Sequence, residues 1–569
     1  MMFRGLAKVC CLAWLASSAM ADWPQFRGSD GNAVSDSTVP VSWSPTQNLA
    51  WKSELPGSGV SSPIVVGSRV IVTCYSGYGI DRQNPGEIGK LVRHVVCLDA
   101  ESGKKLWQAD VPAVQPEDPY TGIGVTAHGY ASHTPVSDGK NVYVFFGKSG
   151  ALAFDLNGKQ LWQTPLGDES DPWKWGSSSS PILAGDVLVV TASAESQSIV
   201  GLDTKTGKQL WKQEASGLDG MWSTPVLVKT ESGRQDLVLC VPKEMWGLDP
   251  QTGKLVWFSK ATDADQSHAT PFVNDGIVYA VTGRGGGSVA IRVGGSGEVT
   301  DTNTVWNGRE TSRFASPVGL GSRLFVVGGD VLTVIDQATG ERIKQVRFQG
   351  GSGRGGGRGG MGGGDYPSPV IAGKYLYYLK GNGEVFVFDV SADVEQLSVN
   401  LLTSDQESFG GTPAISESRF FARSNKHLYC VALTSDDVEP NVSQTLIAKL
   451  AENTGPDGGS GRSGSGGRAA GPGEGRGFDP AAFFARLDTN SDGKISKNEM
   501  EGNPMADRFD QLDKDKDAAV TLQEFSDGMR EFAGGRAGFG GGRSGRGPGG
   551  RDSQDNRPKR PQRPTAFSQ

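Results

Sequence analysis

The feature that most constrains this chain is one phrase of about eleven residues, written several times. It reads CLDAESGKKLW at Cys97–Trp107, GLDTKTGKQLW at Gly201–Trp211 and GLDPQTGKLVW at Gly247–Trp257, with a shortened AFDLNGKQLW at Ala153–Trp162. Repetition on this scale dictates architecture before chemistry. Each phrase closes a β-rich run that opens with a Ser/Thr-Pro pair. The pairs are Ser62-Pro63, Thr134-Pro135, Ser180-Pro181, Thr224-Pro225, Thr270-Pro271, Ser316-Pro317, Ser368-Pro369 and Thr412-Pro413, eight in all and mostly 44 to 52 residues apart. Four short strands per unit at that period predict an all-β chain folded as an eight-bladed β-propeller.

The segment after Thr224 gives the unit in full: PVLV as inner strand, DLVLCV second, EMWGLD third and KLVWFSK outermost. The D-x-x-T-G-K turn between the last two needs glycine at a positive-φ position and an Asp to bond local backbone. The Trp that follows is expected to cover the seam between sheets. The last unit, from Thr412, stops after its third strand, whereas Asn48–Leu55 (NLAWKSEL) has the outer-strand pattern and no unit before it. The N-terminal strand is therefore expected to close the ring, which removes open sheet edges. Trp51, Trp107, Trp162, Trp211, Trp257 and Trp306 would then hold equivalent packing positions.

These D-x-x-T-G-K-x-x-W repeats resemble those of the pyrroloquinoline-quinone (PQQ) repeat superfamily. The resemblance spans about Asp22 to Pro440, and the opening DWPQFRG is similar to the start of exported bacterial propellers with such repeats. It implies the propeller fold. It implies no single function, because the superfamily holds quinoprotein dehydrogenases and the propeller lipoprotein of the outer-membrane assembly machine alike.

Loop lengths separate the two faces of the disc. Insertions at Tyr78–Val92, Pro112–Ala131, Asp168–Trp175 and Gly350–Gly364 fall on one face, where a rigid scaffold usually presents its binding groups. The segments entering the central funnel differ most between units: YASHTP, KWGSSSSP, GMWSTP, QSHATP, SRFASP and GDYPSP. His133, Trp175, Trp222, His268, Arg313 and Tyr366, with His128 nearby, are the candidate ligand-binding residues; such groups could stack on and clamp a flat polyanion such as PQQ. A plain solvated rim is the competing reading. Many quinoprotein alcohol dehydrogenases carry a vicinal Cys pair against the quinone, and here the only adjacent cysteines are Cys10 and Cys11. No metal-binding Glu/Asn/Asp set or catalytic Asp can be aligned.

Beyond a Gly/Ser/Arg-rich linker, 441–477, the composition changes. DTNSDGKISKNE, Asp488 to Glu499, fits an EF-hand loop: Asp488, Asn490, Asp492 and Ser496 by side chain or water, Lys494 by its carbonyl, Glu499 bidentate, and Gly493 at the sharp turn. DKDKDAAVTLQE supplies Asp513, Asp515, Asp517, the Ala519 carbonyl, Thr521 and Glu524, but places Ala518 where the turn glycine belongs. Hard oxygen donors select calcium. Left-handed Ala costs roughly 1 to 2 kcal/mol, so this loop is expected to bind about tenfold more weakly unless its extra Asp offsets the strain. Ile495 and Val520 stand at matching eighth positions, where paired EF-hands form a short β-bridge. Phe483, Phe484, Leu487, Phe509, Leu512, Phe525 and Phe532 read as the shared core of a helical EF-hand pair, 478–533.

The start, MMFRGLAKVCCLAWLASSAMA, reads as a secretory signal over residues 1–21 with an A-x-A cleavage site, so the propeller, 22–440, is expected outside the cytoplasm, in the periplasm or cell envelope. In that compartment Cys74 and Cys97 could pair as a disulfide or serve as small buried apolar groups. Glycine, at 82 of 569 residues, is concentrated in tracts that form no core, and the net charge of −7 names no bulk partner. The basic Gly/Arg/Pro tail, 534–569, is expected to be disordered, with nucleic acid an unlikely partner for an exported chain. Together these readings predict an exported calcium-binding protein whose propeller is a binding or scaffold module for an unidentified envelope protein or polymer. The alternative is a PQQ- and calcium-dependent dehydrogenase.

Overall fold

The computed structural model describes residues 22–122, 124–172, 174–283, 285–351, 366–433, 494–497, 509–525 and 563–564. The predicted signal and linker lie outside them. The chain forms two compact units: Met1–Gly455 together with Pro558–Gln569, and Pro456–Arg557.

The first unit is an eight-bladed β-propeller. Blades 1 to 7 cover 64–112, 136–164, 182–214, 226–260, 272–308, 318–347 and 370–401, each an antiparallel sheet built outward from its Ser/Thr-Pro start. Blade 8 takes three strands from 414–431, and its fourth is Leu49–Glu54, hydrogen-bonded to His427–Val431. The ring thus closes as the sequence predicts. Blade 4 follows the sequence reading strand for strand: Val226–Lys229, Gln235–Val241, Glu244–Leu248 and Leu255–Lys260.

The repeated phrase is a joint between blades. In five of the six the Trp indole N–H donates to a carbonyl in the next blade's outer turn: Trp51 to Ala100, Trp107 to Leu156, Trp162 to Thr204, Trp211 to Pro250 and Trp306 to Gln337, at 2.8 to 3.2 Å, whereas Trp257 departs from the expected equivalence and donates to Asp236 of its own blade. The turn glycine of that next blade lies flat on the ring. A Cβ on Gly253 would stand 2.4 Å from Trp211, and Gly103, Gly158, Gly207 and Gly340 meet their Trp rings equally closely. Glycine is needed here for its positive φ, +70° at Gly253, and for the missing side chain. Opposite each Trp in its own sheet stands a small residue: Cys430, Cys97, Ala153, Gly201, Gly247 or Ala290. The ladder shifts register beside each Trp, and the bulged-out neighbour is exposed, as with Leu106, Leu161 and Leu210.

All four described cysteines are free and buried. Cys74 pairs with His94 and Cys97 with Ile71 in one ladder, so their side chains leave opposite faces of the sheet. The two serve as small packing groups.

The Ser/Thr-Pro starts form a second joint at the axis. The backbone N–H of each Ser or Thr donates to the hydroxyl of the next blade's counterpart, in seven consecutive links from Ser62→Thr134 to Ser368→Thr412, at 2.9 to 3.0 Å. The Pro that follows pre-sets the strand entry and has no N–H to satisfy. Between blades 8 and 1, Arg423, fully buried, donates instead to the Ser61 hydroxyl and the Thr73 carbonyl.

The N-terminal segment crosses the disc. Trp23 bridges Val65 of blade 1, Asn32 exchanges two bonds with Val273 of blade 5, and Val34–Ser35 pairs in parallel with blade 7. Arg27 is wholly buried and donates to the carbonyls of Gly31, Asn32 and Pro317. Phe26 lines both the axial cavity and a second cavity bounded by this segment and the inner strands of blades 2 to 4.

The second unit is described at two strands and one short helix. Lys494–Ser496 pairs antiparallel with Ala519–Thr521, with Ile495 opposite Val520 as expected. Ile495, Val520, Phe509, Leu512 and Phe525 are buried. Phe483, Phe484, Leu487 and Phe532 lie outside the described residues.

Candidate functional site

The axial funnel, a cavity of about 190 Å³, is ringed by the eight Ser/Thr residues of the belt. Above the belt a continuous arc of rings lines one side. Trp175 and Trp222 lie 5.4 Å apart, Trp222 stacks on His268 at 4.9 Å and 8°, His268 meets Phe314 edge-on at 5.1 Å, and Phe314 meets Tyr366 at 4.5 Å. Arg313 lies over Phe314, its guanidinium carbon 4.8 Å from the ring centroid.

Trp175 is held by the insertion beside it. The Pro112–Ala131 insertion brings Gly124 onto Trp175, where a Cβ would lie 2.4 Å from the indole. It also carries His128, whose Nε2 lies 2.6 Å from the Trp175 carbonyl and whose Nδ1 lies 2.6 Å from the Ser132 hydroxyl. A carbonyl only accepts, so Nε2 carries the proton and Nδ1 accepts from Ser132. Burial lowers the pKa of His128, in keeping with a neutral ring that positions Trp175. Trp222 is fixed by its own N–H, 2.7 Å from the Gly176 carbonyl. Burial, then Arg313, pushes His268 down to about 4, so at neutral pH it too is uncharged. The described lining therefore holds one cation, Arg313, two neutral imidazoles, a belt of hydroxyls and no carboxylate.

Five of the six predicted ligand-binding residues, Trp175, Trp222, His268, Arg313 and Tyr366, meet in this cavity, with His128 beside them. His133 does not. It lies below the rim, with Nε2 3.1 Å from the Ser177 hydroxyl, which donates in turn to Glu195 at 2.5 Å. Burial lowers His133 to about 3 and raises Glu195 to about 7. His133 Nδ1 and Glu195 Oε2 have no hydrogen-bond partner among the described residues. The sequence reading passed over Phe314 and Phe26, though both stand in segments it quoted, SRFASP and DWPQFRG. Glu195 and Ser177 gave no signal, because the entry to blade 3 meets the connection between that blade's second and third strands only once the blade has folded.

Of the predicted calcium ligands, Asp488, Asn490, Asp492 and Glu499 lie outside the described residues. Lys494 and Ser496 stand on the paired strand, with Lys494 Nζ 3.0 Å from Asp517. In the second loop one carboxylate oxygen each of Asp513, Asp515 and Asp517 lies within 4.8 Å of the others. Glu524 accepts from the backbone N–H groups of Lys514, Asp515 and Thr521 and from the Thr521 hydroxyl. Ala518, with φ +66°, takes the left-handed turn expected of it.

Residues 91–346 match the family model described as outer membrane protein assembly factor BamB. The propeller resembles the PQQ-like kind over those residues. Residues 481–501 match the EF-hand model. Among solved structures, BamB from Moraxella catarrhalis is 15% identical, with 68% of this chain and 98% of that one covered, at a TM-score of 0.46. Quinohemoprotein alcohol dehydrogenase from Comamonas testosteroni is 15% identical, with 81% and 84% covered, at 0.39. Sqt1 from Saccharomyces cerevisiae is 10% identical, with 68% and 100% covered, at 0.44. No curated protein matches the chain.

PQQ, the cofactor a PQQ-like propeller brings to mind, is a flat polycarboxylate. The described funnel lining does not fit it together with a hard cation: among the described residues a single guanidinium faces several carboxylates, and no acidic oxygen is present to hold the cation or to act as a base.

Proposed function

We propose that this chain is a binding and scaffold protein whose PQQ-like propeller receives a partner at the axial funnel. The observation that carries this reading is the lining: among the described residues, a contiguous aromatic arc beside one guanidinium and no carboxylate. Such a surface buries a flat apolar or aromatic group and pairs one negative charge, as an exposed segment of a partner protein would offer. The attached EF-hand unit binds calcium at two loops, and calcium acts there as a staple for a small domain. Export to the periplasm or envelope is supported by the signal-like segment at residues 1–21 and by the outer-membrane assembly description of the matched family.

The test is a calorimetric titration of the whole chain with PQQ in the presence of calcium, followed by a dye-linked dehydrogenase assay. The expected outcome is no saturable one-to-one heat and no turnover. Tight stoichiometric binding, or turnover lost on Arg313→Gln, would replace this reading with the quinoprotein one.

A further inference from the structure

On blade 4 a buried carboxylate opens the third strand. Glu244 is 4% exposed there and Glu384 is buried at the same place in blade 7, whereas Val92, Ala151, Ser198, Ser288, Val331 and His427 open that strand in the other blades. Trp246, two residues on and fully buried, donates its indole N–H to Glu244 Oε2 at 2.8 Å. A neutral donor orients the carboxylate but leaves its charge to be met.

That charge is met by Arg563, near the end of the chain. Its Nε donates to Glu244 Oε2 at 2.9 Å and its Nη2 to Oε1 at 2.6 Å, a bidentate fork. The guanidinium lies flat on Phe258, 3.4 Å from the ring centroid. Phe258 stands directly across from Trp246 in the sheet, and its other neighbour is Glu298, on the short strand Gly297–Glu298 that the blade 5 insertion adds to blade 4. Glu298 also favours the charged form of Arg563, after Glu244. Acid, ring and second acid thus line up on one face of the sheet, a complement to a planar cation that a lysine would not fill as well.

The sequence around Arg563 is repetitive: Arg557-Pro558, Arg560-Pro561 and Arg563-Pro564 recur every three residues. Proline favours the extended helix of three residues per turn, which presents each Arg on the same side and loses little entropy on binding. We propose that Glu244, Phe258 and Glu298 form an arginine receptor on the propeller wall whose ligand is an Arg-Pro segment, and that its resident occupant is the chain's own C-terminus at Arg563. This gives the basic tail a use independent of the funnel.

The test uses the full chain with a fluorophore joined enzymatically to its C-terminus. The docked tail gives high anisotropy, which falls to a common low value in Glu244→Gln and in Arg563→Gln, with no further fall in the double variant. The free peptide Asn556–Gln569 competes in trans, and its Arg563→Gln form competes about tenfold more weakly or worse. Arg563→Gln alters only the tail, so it separates undocking from a folding defect at Glu244. Unchanged anisotropy in Arg563→Gln would overturn the proposal. So would an equal fall in Arg560→Gln, which would mean diffuse attraction and no receptor.

Discussion

The joint between blades 3 and 4 and the joint between blades 4 and 5 start from the same phrase and end differently. At the first, Trp211 donates to the Pro250 carbonyl and lies on Gly253 of the next turn. At the second, blade 5 has exchanged its D-x-x-T-G-K turn for the insertion VGGSGEVTDTN, and Trp257 turns inward to Asp236, 2.7 Å away, which Arg234 holds in a fork. The difference teaches that Trp and turn glycine are one device split across two blades. When the glycine goes, the indole needs a new acceptor, and the fold supplies a buried charge. The freed insertion then adds a strand to blade 4 and brings Glu298 beside Phe258.

Alanine at the two glycines breaks this comparison most sharply. Gly253→Ala must strain a φ of +70° and drive a methyl into Trp211, whereas Gly297, at φ +72°, has open space around it. The first is expected to cost about 3 kcal/mol, from conformation and overpacking together, and the second about 1 kcal/mol, from conformation alone. Urea midpoints of the two variants read this directly. Equal shifts would mean that the Trp–Gly contact carries no part of the joint's stability.

The neutral joints have no titratable group, so pH should act on the charged exceptions. Beneath the funnel, His133, Ser177 and Glu195 join blade 2 to blade 3. Glu195 is pushed up from 4.5 to about 7 by burial. The folded state therefore keeps a proton that the unfolded chain has lost, and this stability is present below about 4.5 and lost as pH rises through about 7. His133 is pushed down from 6.5 to about 3 by burial; its contribution is present above 6.5 and lost as pH falls toward 3. Between pH 4.5 and 6.5 the two slopes oppose each other. Glu195→Gln should leave a stability that rises with pH across that window, and His133→Asn one that falls, each by about 1.4 kcal/mol per pH unit at most. Two variants with slopes of the same sign, followed by denaturation at several pH values, would show that the pair does not titrate as placed.

What was legible in the sequence was whatever repeats. The Ser/Thr-Pro starts counted the blades, and the lone outer strand at Asn48–Leu55 foretold closure, because the repeat leaves one strand surplus at one end and one missing at the other. The reason for Ser or Thr before each Pro was not legible, since the hydroxyl bonds a residue in the neighbouring blade 44 to 72 positions away. Five of the candidate residues line one cavity because they stand where units differ most. His133 stands outside it: it is one residue before Thr134, and adjacent residues on an extended entry segment point to opposite sides. Phe26, Glu195 and Glu244 have no repeat to betray them, and their roles come from contacts between distant blades or from the chain's far ends.

The second EF-hand loop extends the lesson to a smaller scale, for Ala518 is again a broken glycine position, here kept in the left-handed region at φ +66°. Two carboxylates share the task of holding it, since Asp513 accepts from the Ala518 N–H at 3.0 Å and Asp517 from the Ala519 N–H at 2.9 Å. Ala518→Gly relieves conformational strain of roughly 1 to 2 kcal/mol while leaving every oxygen donor in place, so calcium at this loop should bind about tenfold tighter in a titration of the full chain. Trp257 answered the loss of its glycine by recruiting a charge from within its own blade. If Ala518→Gly leaves calcium affinity unmoved, the second loop has done the same, and its carboxylates hold the turn so firmly in bound and free states alike that the missing glycine costs the metal nothing.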